Sequence, residues 1–141
     1  MSTNRPYTRV IELLKQAGLR PTRQRIALAK LLFDGDNRHV TAEQLHEEVL
    51  AQNAAVSLAT VYNALHQFTS AGLLREVVVE PGRSYFDTNT KDHHHFYYED
   101  DSWLEDIPSE DVHVSQMPDP PAGTEISRVD VVVRLAKPGS R

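Results

Sequence analysis

Between residues 91 and 107 the sequence reads KDHHHFYYEDDSWLEDI. Three consecutive imidazoles, His93, His94 and His95, run into three aromatic side chains and then into a group of carboxylates. Imidazole with carboxylate is a donor set for divalent transition metals. Imidazole beside aromatic rings also suits the iron and the flat face of a porphyrin. An affinity tag sits at a terminus, whereas this run is internal. The plain alternative is a solvated polar strand with no chemistry. The chain has no cysteine, which excludes disulfides, thiolate zinc ribbons and thiolate haem ligation. Any ion or porphyrin must therefore be held through nitrogen and oxygen. If residues 93 to 98 are extended, His93, His95 and Tyr97 point one way and His94, Phe96 and Tyr98 the other.

The elements that must position these residues fall into two halves. Residues 7–18, YTRVIELLKQAG, place Val10, Leu13, Leu14 and Ala17 on one helical face, and Gly18 stops the run. A second helix is expected from Pro21, with Ile26, Ala29 and Phe33 inward. A third opens with a capping box, Thr41 with Gln44, and buries Ala42, Leu45 and Val49. A fourth starts at Ser57 as N-cap, carries Leu58, Val61, Leu65 and Phe68 inward, and ends at Gly72. The period then changes: LLREVVVEPGRSYFDT reads as strand, Pro-Gly turn, strand. Helices followed by a hairpin give the winged helix-turn-helix order. The wing spans about residues 73–87, with Arg83 at its tip.

In the second half, HFYYED and SWLEDI read as short strands, SEDVHVSQM as a short helix from Ser109, and MPDPPAG as a loop. ISRVDVVVRL alternates as a strand, with Val129, Val131, Val133 and Leu135 on one face. The expected class is α+β: a winged helix-turn-helix domain over 1–88, a small α/β domain over 89–136, and a loose tail over 137–141.

The charge is divided in the same way. Residues 1–38 hold eight Lys/Arg against three acids, and the remainder holds seven against seventeen. A basic head on an acidic body suits a protein with one polyanion-binding end. No run of about 18 apolar residues and no signal-peptide pattern is present, so the expectation is a cytoplasmic protein with no membrane partner. With the apolar stripe of the fourth helix turned inward, Ala59, Thr60, Tyr62, Asn63 and His66 face outward. Tyr62 offers a ring to a thymine methyl, and Asn63 can pair bidentately with adenine. Ser57 and Thr60 at the helix N-terminus suit phosphate. Arg20, Thr22, Arg23 and Arg25 form a candidate clamp on the nucleic-acid backbone. His46 and His66 are isolated histidines whose plainest reading is structural.

In this order, the segments AGLRPTRQRIAL, HVTAEQL, VSLATVYNALHQFTSAGLL and SYFDTNTKDHHH resemble the ferric uptake regulator (Fur) family of bacterial transcription factors. The resemblance runs over nearly the whole chain and is greatest to the iron response regulator (Irr) branch of the alpha-proteobacteria. It implies that the second domain dimerises and that a homodimer binds double-stranded DNA at an AT-rich inverted repeat. It also implies an inter-domain metal site at His39, Asp87 and His94, with Phe96 where the family has a further histidine. A second site maps onto His93 and His95, with His113 where a carboxylate is usual. The Irr branch is implied to sense haem, and without cysteine its Cys-Pro haem motif is absent, leaving His93, His94 and His95.

Two functional expectations follow. One is a repressor of iron and haem metabolism genes, released from its operator by haem. The other is a Fur-like regulator requiring Fe²⁺, Mn²⁺ or Zn²⁺ as corepressor. A His/carboxylate metalloenzyme is a third class, and the sequence lacks His-Glu-x-x-His or comparable spacing for it.

Overall fold

Four short helices open the chain, each bounded where its sequence permits. In the computed structural model, which describes residues 7–139, α1 spans Thr8–Gln16, α2 Arg23–Phe33, α3 Ala42–Ala51 and α4 Leu58–Ser70. Arg5, counted above with the basic head, and Ser140–Arg141 of the expected tail lie outside the described residues. Thr22, Thr41 and Ser57 are N-caps whose hydroxyls accept from the backbone N–H three residues on. At Thr41 the Gln44 side chain answers back, completing the capping box. Pro21 lies two residues before α2, just outside the Thr22 cap, not at the helix start. Beyond α4, Gly72 adopts φ +83°, the left-handed turn that ends a helix most easily at glycine.

The inward faces differ in detail from the expected ones. Helix α2 buries Leu28, Ala29 and Leu32, while Ile26 and Phe33 are only half-buried. Helix α4 buries Ala64 with Val61, Leu65 and Phe68, and Leu58 sits at the margin. Phe68 and Phe33 meet edge to face at 5.9 Å.

The helices pack with a three-stranded antiparallel sheet ordered β1-β3-β2, made of His39–Val40, Arg83–Asp87 and Arg75–Glu80. The β2–β3 turn is Pro81–Gly82, with Gly82 at φ +74°. In the register, Asp87 lies opposite His39 on one side and Arg75 on the other. Asp87 and Arg75 are both buried.

The chain divides into two compact units at Thr90/Lys91. The second unit carries a mixed sheet ordered β5-β4-β6: β4 is His94–Tyr98, β5 Trp103–Ile107 and β6 Val132–Leu135. Strands β4 and β5 form an antiparallel hairpin, and β6 runs parallel to β4. The helix expected from Ser109 is reduced to a single 3-10 turn, Ser109–Asp111. Val112 and Val114 disfavour helix, and Pro118, Pro120 and Pro121 forbid its extension. The crossover to β6 is consequently irregular, and the strand itself is shorter than its alternating pattern.

Candidate metal centre and nucleic-acid interface

The hairpin of the second unit sets the histidines by parity. Along residues 93–98 burial alternates strictly, with His93, His95 and Tyr97 buried and His94, Phe96 and Tyr98 half-buried. His93 is 6% exposed and His95 1%. Their rings approach edge to face with centroids 4.5 Å apart. The hairpin register places Asp106 directly opposite His95, so the two side chains share a face at close range. One carboxylate oxygen, Asp106 Oδ1, lies 3.4 Å from His93 Nε2 and 3.4 Å from His95 Nε2.

Donor atoms of His93, His95 and Asp106 thus lie within 4.8 Å of one another. A 3.4 Å separation is the edge of a tetrahedron whose centre is about 2.1 Å from each corner, the bond length of zinc to imidazole nitrogen or carboxylate oxygen. The Nδ1 of His93 lies 2.7 Å from the Lys91 carbonyl. Donation of Nδ1–H to that carbonyl fixes the tautomer that leaves the Nε2 lone pair for an ion, the usual outer partner of a ligating histidine. These three side chains fit a divalent cation.

His94 turns to the opposite face, and its Nδ1 accepts the Val131 N–H at 3.1 Å. His113 is exposed in the irregular segment after the 3-10 turn and contributes no donor to the His93–His95–Asp106 group. The helix that was expected to carry it does not form. His39 and Asp87 are cross-strand partners in the first unit, and the His39 ring meets Tyr85 edge to face at 6.0 Å. Asp106 was missed by sequence reasoning. The signal was present, because EDDS reads as a turn and pairing FYY with WLED across it sets Asp106 beside His95.

In the first unit, α4 presents Ala59 and Asn63 exposed and Thr60 and Tyr62 half-buried. Ser57 Oγ caps the Thr60 N–H at 3.1 Å and donates to Thr60 Oγ1 at 3.0 Å. The Tyr62 hydroxyl donates to Glu43 Oε2 at 2.9 Å, and that hydrogen bond holds the phenol above its usual range. Arg20, Arg23 and the wing-tip Arg83 are exposed. Thr22 is occupied as the α2 cap, and the Arg25 guanidinium is bound to Gln67 and to the Arg20 carbonyl. Of the isolated histidines, His46 Nε2 lies 3.0 Å from the Val56 carbonyl just before α4. His66 packs edge to face on Phe86 at 5.7 Å. Both contacts are structural.

A family model described as the ferric uptake regulator family matches residues 16–133. The chain belongs to this family. The ferric uptake regulation proteins of Shigella flexneri and Escherichia coli K12 are 42% and 40% identical to it over 82 residues, 58% of this chain. The chain spans about half the length of these curated relatives, with 55% of each covered. A solved structure of the ferric uptake regulator from Pseudomonas aeruginosa with manganese matches at 25% identity and TM-score 0.67, covering 90% of this chain and 96% of that one. The Vibrio cholerae regulator matches at TM-score 0.69 and 22% identity, a likeness of fold. Fur-type architecture, a helical N-terminal domain with a β-hairpin wing followed by a small α/β domain, accordingly describes this chain.

Proposed function

We propose that this Fur-family protein is a DNA-binding transcriptional regulator of iron-homeostasis genes whose binding form requires a divalent metal. The observation carrying the metal half is the convergence of His93 Nε2 and His95 Nε2 on Asp106 Oδ1, each at 3.4 Å. A bound cation would supply the positive charge that joins these three donors. Everything else falls to the chain. Buried imidazoles exclude water, the Lys91 carbonyl orients His93, and the hairpin register delivers Asp106. His93 lies three residues beyond the junction of the two units. That short link between the ligand and the junction is the proposed route of coupling. A useful switch needs only about 1–3 kcal/mol, roughly 5- to 150-fold in affinity.

The DNA half rests on α4 as recognition helix. Asn63 and Tyr62 would read base edges, Ala59 would pack on them, and Ser57 and Thr60 would take phosphate at the helix start. Arg20, Arg23 and Arg83 would contact the backbone. A homodimer would hold two such helices about 34 Å apart on an AT-rich inverted repeat. His39 and Asp87, assigned to an ion by resemblance, are tested by His39→Ala and Asp87→Asn in the same titrations. No helix among the described residues is long and apolar enough to cross a membrane.

The haem-released repressor of the Irr branch is the less supported reading. It rests on the resemblance of motifs alone, and two of the three imidazoles are buried beside a carboxylate instead of lining an open face. The manganese of the Pseudomonas aeruginosa regulator points the same way. The family is one of regulators, which sets the metalloenzyme reading aside.

The test is fluorescence anisotropy of metal-stripped protein on duplexes it enriches from a random pool, with Mn²⁺, Zn²⁺ and haem titrated separately. Binding that appears only with a divalent ion supports the proposal. Tight binding by stripped protein that haem then releases would replace it with the haem reading.

A further inference from the structure

Arg25, in the first turn of α2, was expected to grip phosphate, but its hydrogen bonds run inward. The Nε and Nη2 of Arg25 both donate to Gln67 Oε1, at 3.3 and 2.8 Å, and Nη1 donates to the Arg20 carbonyl at 3.0 Å. The Arg25 backbone N–H is held as well, by Thr22 Oγ1 at 3.2 Å. The Nε/Nη2 edge is the fork that a guanidinium offers to a phosphate or carboxylate. Here that edge is taken by an amide 42 residues away, in the third turn of α4.

We infer that Arg25 is a positioning residue, a strut that joins the start of α2 to Gln67 and sets the pitch of the recognition helix. This deepens the DNA-binding reading and rests on it. Asn63 lies one turn before Gln67 on the same helix, and Thr60 nearly another turn before that. Holding Gln67 therefore orients the residues assigned to bases and phosphates. Between the two helices lies a groove of about 250 Å³, lined by Arg20, Thr22, Arg25, Thr60, Asn63 and Gln67. The nucleic-acid backbone entering it would find Arg20 exposed for contact, while the Arg25 fork is already engaged. By holding the Arg20 carbonyl, the same guanidinium also places Arg20. Lysine keeps the charge but has no fork, so it cannot serve as this strut.

The test is the salt dependence of binding by the full-length, Zn²⁺-loaded protein to a labelled duplex enriched from a random pool. Each lost phosphate contact lowers the log–log salt slope by about 0.9. Arg25→Ala, Arg25→Lys and Gln67→Ala should each weaken binding at least about fivefold with the slope unchanged. The Arg25→Ala/Gln67→Ala pair should be no weaker than either single variant, the signature of one shared interaction. Arg20→Ala should lower the slope by about 0.9. Thermal melts establish that each variant is folded, and Gln67→Ala removes only an exposed side chain. The inference is overturned if Arg25→Ala lowers the slope while Gln67→Ala is silent, or if Arg25→Lys binds as wild type. Failure of the underlying reading looks different: wild-type protein would enrich no duplex from the pool, and the inference would fall with it.

Discussion

Ser57 separates folding from function at one atom. Its Oγ caps α4 through the Thr60 N–H and donates to the Thr60 hydroxyl, and the residue itself is exposed. Ser57→Ala opens no cavity, so its effect is loss of the cap, about 1 kcal/mol. In a unit of roughly 90 residues that lowers Tm by about 4–8 °C. Ser57→Asp keeps an acceptor and adds a charge that the helix N-terminus favours, so its stability should stay within about 0.5 kcal/mol of wild type. On DNA the sign reverses. A carboxylate about 6 Å from a phosphate, at an effective dielectric between roughly 20 and 80, costs about 0.7–3 kcal/mol. That weakens binding roughly three- to hundredfold. Thermal melts by circular dichroism and duplex anisotropy, read on the same samples, should show Ala less stable with modestly weaker binding. The Asp variant should be as stable as wild type and bind roughly three- to hundredfold more weakly. An Asp variant that binds as wild type would remove the start of α4 from the interface, and an Ala variant of unchanged stability would refute the cap.

Further outcomes follow from the packing and charges. Phe68→Ala empties the centre of the helical core, where Phe68 is fully buried, and should cost about 3–5 kcal/mol in urea unfolding. Arg38 grips Glu48 through two bonds of 2.8 and 2.6 Å and also reaches the Leu31 carbonyl at 3.2 Å. The pair is about one-third exposed, so Glu48→Gln should cost about 0.5–1 kcal/mol, and less in 1 M salt. The Glu105 carboxylate accepts from the Tyr98 hydroxyl and holds that phenol above its ordinary value of 10.0. A raised native value means that this stabilisation is present below about pH 10 and is lost as pH rises through the shifted value. Titration at 295 nm should show Tyr62 and Tyr98 ionising late in wild type, and one of these two late steps moving earlier in Glu105→Gln.

What the sequence revealed was mostly local. The Thr41/Gln44 box and the Ser57 cap depend on residues three apart, and both form as read. The alternation of His93, His94 and His95 needed only an extended backbone. The inward face of α2 was misread because seven of its eleven residues are apolar and all seven are at least partly buried. Period alone cannot choose a face on such a helix. The two-residue strand β1 is too short to leave a pattern. Asp106 became visible only through the hairpin register, and His113 was misplaced with a helix that is reduced to one 3-10 turn ending at Asp111. Arg25 reads in sequence as one more basic residue, and only the fold reveals Gln67 beside it.

The central claim is that His93, His95 and Asp106 together hold a divalent ion. Zinc K-edge absorption spectroscopy of the full-length protein loaded with one equivalent of Zn²⁺ tests it most directly. The account predicts two imidazole shells with nitrogen at about 2.0–2.1 Å and oxygen at about 2.0–2.2 Å. His95→Gln should lose one imidazole and Asp106→Asn should bind more weakly. A bound zinc whose imidazole signal survives in both His93→Gln and His95→Gln would contradict it.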